Sequence, residues 1–207
     1  MTATTTHSAL RTARRLELLT VGWNGFEAGV AVISGLAANS IALTGFGLDS
    51  GIEVVSALIV LGRLRAGLDG RADERRERRA LRAVGVTFFL LAAYLTIDGL
   101  DKLVTGSRPN TSPTGVAISI AALFVMPTLA LAKGRVARRL DGSLRAVVLA
   151  DAAESRLCAL LALTTLAGLL AYMIAGWWWA DSVAGFAVAA LALHEGAEAW
   201  EGNLDED

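Results

Sequence analysis

The sequence contains few cysteines, which form disulfides, few prolines, which interrupt helices, and few histidines, which bind metals. Among its 207 residues there are one cysteine, three prolines and two histidines. A single cysteine excludes an intramolecular disulfide, and histidine only at His7 and His194 excludes a histidine-rich metal-binding loop. The sequence also lacks the alternation of apolar and polar stretches that is typical of a soluble domain, because 54% of its residues are hydrophobic and its mean hydropathy is +0.52.

Long apolar runs take the place of that alternation. A helix needs about 20 apolar residues to cross a bilayer. Six segments satisfy this length, at roughly 17–37, 40–62, 83–104, 114–132, 146–174 and 177–199. They predict an all-α, polytopic membrane protein with six transmembrane helices over residues 17–200. We expect a polar N-terminal segment at 1–16, a short acidic tail at 201–207, no removable signal peptide and no C-terminal metal-binding domain.

Basic residues are distributed unequally between the two ends of the predicted spans. Sixteen lie before the first span or in the second and fourth connections, and two, Lys102 and Arg108, lie in the opposite connections. Because cationic loops stay in the cytoplasm, we expect cytoplasmic termini, in what we take to be a prokaryotic cytoplasmic membrane. The arginine-rich segment 63–82 also carries four carboxylates, which favours a solvated loop that sets topology over a nucleic-acid site.

Two carboxylates interrupt the second apolar span, in the stretch FGLDSGIEVVSALIVL. A carboxylate at the centre of a membrane helix costs about 2.5–3.5 kcal/mol on insertion scales. Asp49 and Glu53 are four residues apart, so they share one helix face. Two like charges on one face favour a cation between them over the alternative of a helix-packing hydrogen bond, which one neutral Ser or Thr could make at lower cost. Gly47 and Gly51, also four apart, allow another helix to approach closely.

The fifth span repeats this spacing in VVLADAAESRLCALLAL. Glu154 and Cys158 are four residues apart, and Asp151 lies on the same face. If the second and fifth spans face each other, the two pairs supply three carboxylates and one thiol. Four such ligands suit a tetrahedral ion such as Zn²⁺, and the thiol favours a transition metal over Mg²⁺ or Ca²⁺.

These features resemble the cation diffusion facilitators. The resemblance rests on NSIALTGFGLDSGIEVVSALIVL, LADAAESRLCALL and GWWWADSVAGFAVAAL. It is greatest to the short branch of the family that includes the vertebrate transmembrane protein 163 type and bacterial cation transporters. It implies a homodimer, held by its transmembrane helices, that exports a divalent metal, most commonly zinc, in exchange for protons. The implied metal site is Asp49, Glu53, Glu154 and Cys158.

The resemblance is incomplete at the fifth span. Glu154 and Cys158 stand where the family usually has histidine and then aspartate, so Fe²⁺, Mn²⁺, Co²⁺ and Cd²⁺ are alternatives to Zn²⁺. No prosthetic group, enzymatic activity or nucleic-acid partner is expected.

Other polar residues within the spans are candidates for accessory metal binding or proton coupling. They are Asp151, Glu27, which shares a face with Asn24, and Asp98. Asp181 suits the first turn of the sixth span, where an anion complements the helix dipole. We interpret His194, Glu195, Glu198 and Glu201 as a solvated helix end, and a weak metal entry point is the alternative.

Two alternative functions belong to other classes. The protein could bind metal and modulate a partner without transporting it. It could also be an intramembrane aspartyl protease, but Leu48 separates Gly47 from Asp49 and breaks the Gly-x-Gly-Asp motif. Metal uptake into sealed vesicles separates these alternatives, because only a transporter moves the ion by itself.

Overall fold

The computed structural model describes residues 3–69, 74–140 and 142–201, and the regular elements in these ranges are all α-helices. The helices are α1 (Ala3–Ala38), α2 (Ile41–Asp69), α3 (Glu74–Thr105), α4 (Pro113–Ala137), α5 (Gly142–Ala175) and α6 (Ala180–Glu201). The prediction of an all-α polytopic protein is therefore confirmed.

Four stretches of these helices are long and apolar enough to cross a membrane on their own: Ser8–Ala38, Ile41–Arg65, Pro113–Ala137 and Asp151–Ala175. These belong to α1, α2, α4 and α5. The other two helices, α3 and α6, pack mainly against each other and also contact α2. Charged residues near the ends of α3 and α6 lower the mean hydropathy of these two helices. Their packing against the other helices therefore contributes to holding them in the membrane.

Several boundaries differ from those predicted, and α1 already begins at Ala3, within the predicted N-terminal segment 1–16. The helix α2 continues to Asp69 and α3 begins at Glu74, so most of the arginine-rich segment 63–82 is helical and is not the predicted loop. The helix α6 begins at Ala180 rather than at 177, because α5 ends at Ala175 and Gly176 adopts a positive φ of 68°.

The rings of Trp177 and Trp179 stack with centroids 5.5 Å apart and are exposed, which suits the membrane interface.

The start of α2 is stabilised by a residue from α6. The carboxylate of Asp181 accepts hydrogen bonds from the hydroxyl of Ser40 and from the backbone N–H of Ile41, the latter at 2.7 Å. The predicted position of Asp181 in the first turn of α6 is correct. Its carboxylate also satisfies the free N–H groups at the start of the neighbouring helix.

The close approach of α1 and α2 depends on Gly47. A Cβ atom at this position would lie 2.7 Å from the backbone nitrogen of Val32 and 2.9 Å from the Cβ of Ala31. The predicted role of Gly47 in helix packing is therefore correct. A Cβ at Gly51 would meet nothing within 4 Å, so that glycine is not needed for close packing.

The six helices form three pairs, α1 with α2, α4 with α5 and α3 with α6. Contacts between α2 and α5 and between α1 and α4 join the first two pairs, and α6 packs on both α2 and α5. Large apolar side chains such as Ile33, Phe124 and Ile174 are exposed on the outside of this bundle, as expected for surfaces that face lipid. The polar side chains considered below lie inside the bundle, on both sides of the contact between α2 and α5.

Candidate functional site

The predicted ligand pair on α2 lies inside the bundle. Asp49 is 7% exposed and Glu53 is 1% exposed. Both side chains line one cavity, as their four-residue spacing requires. One oxygen of Glu53, Oε2, is buried and has no hydrogen-bond partner in the described structure. Such an oxygen is costly to bury unless a ligand or cation satisfies it.

The predicted pair on α5 lines the same cavity, which we call the α2–α5 cavity. Glu154 and Cys158 both contribute to its wall. The Glu154 carboxylate accepts a hydrogen bond of 2.8 Å from the hydroxyl of Ser56 on α2. Cys158 is 2% exposed. The contact between α2 and α5 thus brings all four predicted ligands to one place, although their role as ligands stays a prediction.

Helices α3 and α6 complete the wall of the α2–α5 cavity. They supply four apolar or acidic side chains, Phe88, Leu191, Ala192 and Glu195, and α5 adds Leu157 and Leu161. Apolar walls around carboxylates lower the local dielectric constant, which strengthens their attraction for a cation. The cavity combines an apolar lining with a few convergent polar groups, as small-ligand sites commonly do.

Glu195 is a cavity residue that was not predicted from the sequence. The solvated helix end is correct for His194 and Glu198, which are exposed and pair with each other at 3.1 Å. It is wrong for Glu195, whose half-buried side chain lines the cavity. Helical spacing is the signal that could have identified Glu195. Ala192 follows Val188 after four residues and Glu195 follows Ala192 after three, so all three share one helix face, and Val188 and Ala192 are buried.

The cavity is not a preformed metal site. Among the described residues, no three Asp, Glu, His or Cys side chains are gathered closely enough to hold one ion. A tetrahedral zinc ion needs oxygen ligands at about 2.0–2.2 Å and sulfur ligands at about 2.3 Å. Binding at the α2–α5 cavity therefore requires side-chain or helix movements that bring the ligands of α2 and α5 together.

Glu27 lies next to the cavity residues, on α1. It is fully buried, and its Oε1 atom accepts a hydrogen bond of 3.0 Å from the hydroxyl of Ser50. The Sγ atom of Cys158 is 4.0 Å from the same oxygen. The predicted shared face of Asn24 and Glu27 points inward, since both are 0% exposed. The accessory role of Glu27 is not tested by these contacts, but its position next to Cys158 is compatible with it.

Asp151 belongs to a different group of residues, which we call the Lys133 network: Glu17, Lys133, Asp151 and Ser155. The Lys133 ammonium forms an ion pair with Asp151 and lies 3.6 Å from a carboxylate oxygen of Glu17. It also donates a hydrogen bond of 3.1 Å to the hydroxyl of Ser155. All four residues are at most 2% exposed.

The position of Lys133 differs from the predicted one. The sequence predicts that Lys133 lies in a cytoplasmic connection, but it lies within α4 and is 0% exposed. Its charge is neutralised by buried carboxylates, so it is not a topological signal of the usual kind. Fifteen basic residues then remain on the predicted cytoplasmic side, against Lys102 and Arg108 on the other. The asymmetry, and the orientation that it predicts, are unchanged.

Asp98 is placed elsewhere. Its carboxylate pairs with Lys102, four residues later on α3, at 3.2 Å, and Lys102 also donates a hydrogen bond of 3.0 Å to the backbone oxygen of Asn39. This arrangement ties α3 to the turn between α1 and α2. Asp98 is not among the residues that line the α2–α5 cavity, and its accessory role stays a prediction without support from these contacts.

Comparison with known families supports the interpretation of the apolar helices and their buried carboxylates. The family model described as the cation efflux transmembrane domain matches residues 18–202, which cover all six helices apart from the start of α1. No protein of curated function matches the sequence significantly. This family transports divalent metal cations and is not a family of enzymes. The chain therefore belongs to the cation diffusion facilitator family, as an integral membrane protein with the transmembrane domain of a metal cation transporter.

Proposed function

We propose that this protein exports a divalent transition metal, with Zn²⁺ as the first candidate, in exchange for protons. The observation that carries the proposal is that Asp49 and Glu53 of α2 line the same cavity as Glu154 and Cys158 of α5. Three carboxylates and one thiol are sufficient for tetrahedral Zn²⁺. The thiol also suits Fe²⁺, Co²⁺ and Cd²⁺ better than Mg²⁺ or Ca²⁺, and Mn²⁺ remains an alternative.

The coupling to protons follows from the chemistry of these ligands. Carboxylates must be ionised and the thiol must be deprotonated before they bind a metal. Protons and metal therefore compete for the same groups. Release of the metal on the outside would allow protons to bind there, and their release on the inside would prepare the ligands for the next ion.

The direction of transport rests on the charge asymmetry. Basic residues concentrate at the end of the bundle where α2 and α4 finish and where α3 and α5 begin, which predicts that this end lies in the cytoplasm. Glu195 lies on α6, towards that same end, and adds a carboxylate to the cavity wall. We propose that a cytoplasmic metal ion reaches the four ligands past Glu195, and that two copies of the chain assemble through their transmembrane helices.

The test is zinc transport by purified protein in sealed proteoliposomes that contain a zinc-sensitive dye. We expect Asp49→Ala to abolish transport, because it removes one of four ligands without disturbing a hydrogen bond. The matched control is Asp101→Ala, which removes an exposed aspartate of α3 and should leave transport unchanged. Wild-type rates in Asp49→Ala would overturn the site. If the wild-type protein binds Zn²⁺ but moves none, the protein binds metal without transporting it.

A further inference from the structure

Glu53 is the one predicted ligand that also contacts the Lys133 network. Its Oε1 atom accepts a hydrogen bond of 3.1 Å from the hydroxyl of Ser155. The same hydroxyl oxygen accepts the hydrogen bond from the Lys133 ammonium. A chain of two hydrogen bonds therefore joins a buried cation on α4 to a candidate metal ligand on α2, through a side chain on α5.

The chemistry of the Ser155 hydroxyl fixes which group donates and which accepts in these two hydrogen bonds. Serine has one hydrogen to donate and two lone pairs to accept with. The Lys133 ammonium can only donate, so the Ser155 oxygen must be the acceptor of that bond, and the Ser155 hydrogen is free to be donated. Its acceptors within reach are Oε1 of Glu53 and the backbone oxygen of Asp151, both at 3.1 Å.

The two oxygens of Glu53 consequently have different surroundings. Oε1 accepts the hydrogen bond from Ser155, whereas Oε2 is buried without a hydrogen-bond partner in the described structure. A carboxylate held at one oxygen keeps its orientation while the other oxygen stays available to an ion. Hydrogen-bonded groups behind a metal ligand commonly act in this way, by fixing the orientation of the ligand.

We propose that Ser155, itself held by Lys133, is a positioning residue that orients Glu53 towards the α2–α5 cavity for metal binding. This inference rests on the proposed function, because it assigns a role only if Glu53 is a metal ligand. The contact between this serine and Glu53 is not required to hold the Lys133 network together. The ion pair between Lys133 and Asp151 does not require Ser155, and the hydroxyl could bond to the backbone oxygen of Asp151 alone.

The test is a Zn²⁺ titration of the purified full chain, together with the KM and the maximal rate of transport in proteoliposomes. Loss of a group that orients a metal ligand typically weakens metal binding about 10–100-fold. We expect Ser155→Ala to raise the Kd and KM for Zn²⁺ by this factor and to retain transport at saturating Zn²⁺. Ser155→Thr keeps the hydroxyl and should restore most of the affinity.

The matched control is Ser119→Ala on α4. Ser119 is also fully buried, and its hydroxyl has no hydrogen-bond partner in the described structure, so its removal should leave the Kd for Zn²⁺ unchanged. Equal Kd values for Ser155→Ala and Ser119→Ala would overturn the proposal, as would a Ser155→Thr variant no better than Ser155→Ala. If Ser155→Ala does not fold, the near-isosteric Ser155→Cys, with its weak donor, carries the same expectation. Loss of transport in Asp49→Ala beside normal Zn²⁺ affinity in Ser155→Ala would refute this inference and leave the proposed function standing.

Discussion

The contact between α2 and α5 has acidic side chains on both sides, and the two sides differ in what neutralises them. On the side of α3 and α6, the carboxylates Asp49, Glu53, Glu154 and Glu195 line the α2–α5 cavity without a basic partner among the residues of its wall. On the side of α1 and α4, Glu17 and Asp151 surround the ammonium of Lys133. One side therefore carries its own cation, and the other side can accept one from outside.

This difference explains why a set of buried acidic residues does not by itself identify a metal site. Burial of a charge is unfavourable on either side, and it is tolerated where an opposite charge compensates it. In the Lys133 network the compensating charge is part of the chain, so Glu17 and Asp151 need no bound ion to balance them. The wall of the cavity supplies no such charge, and its carboxylates are the ones that we propose to bind metal and protons.

The largest expected effect is on stability and concerns the Lys133 network. Lys133→Met removes the only cation of this group and leaves Glu17 and Asp151 buried beside each other. Breaking a buried ion pair by removing one partner costs about 3–5 kcal/mol, so we expect a fall of this size in the free energy of unfolding. The measurement is unfolding of the purified protein in detergent, followed by fluorescence.

A double variant tests whether charge is the cause. Lys133→Met combined with Asp151→Asn removes one charge of each sign and should recover part of the lost stability. Asp49→Asn in the cavity serves as the comparison, because it removes a carboxylate that has no basic partner in the cavity wall, and it should not lower stability. Wild-type stability in Lys133→Met would show that the contrast between the two sides is wrong.

The second expected effect is the pH dependence of metal binding. Because metal displaces protons from carboxylates and thiol, the apparent affinity for Zn²⁺ should fall as the pH falls. Each displaced proton should weaken binding by about tenfold per unit of pH where the ligands are protonated. The measurements are Zn²⁺ titrations between about pH 7.5 and about pH 5.5 and detection of the protons released into weak buffer.

An affinity that does not change with pH would mean that the cavity residues are not the ligands. The coupling itself is tested separately in proteoliposomes. An inward proton gradient should drive Zn²⁺ out against its own gradient, and an ionophore should stop this export. Export that continues unchanged after the proton gradient has collapsed would contradict antiport.

The smallest expected effect is a change in metal preference. Cys158→Ser replaces the one soft candidate ligand in the cavity wall by a hard oxygen without changing the shape of the side chain much. Softer metals such as Zn²⁺ and Cd²⁺ should lose affinity relative to Mn²⁺, while transport continues. A competition series with these ions measures the shift, and unchanged preference would show that the thiol does not contact the metal.

Much of the candidate site could be predicted from helical periodicity alone. The spacing of Asp49 and Glu53 places both on one helix face whatever surrounds the helix, and the same holds for Glu154 and Cys158. The structure brings these faces to a common cavity. Glu195 was missed because polar residues at a helix end are normally solvated. Its spacing places it on the same face as Val188 and Ala192, and the packing of α6 against α2 and α5 turns that face inward.

The sequence by itself determined the helical, membrane-embedded class of the protein, because apolar runs of this length are stable only across a bilayer. It also determined which carboxylates share a face, because that depends on helix geometry alone. Only the tertiary structure decided which carboxylates have a cation of their own. Lys133 is distant in sequence from Glu17, and on composition alone it is one more basic residue near a helix end. Its pairing depends on the contact between α1, α4 and α5, and no local pattern in the sequence encodes which faces of separate helices meet.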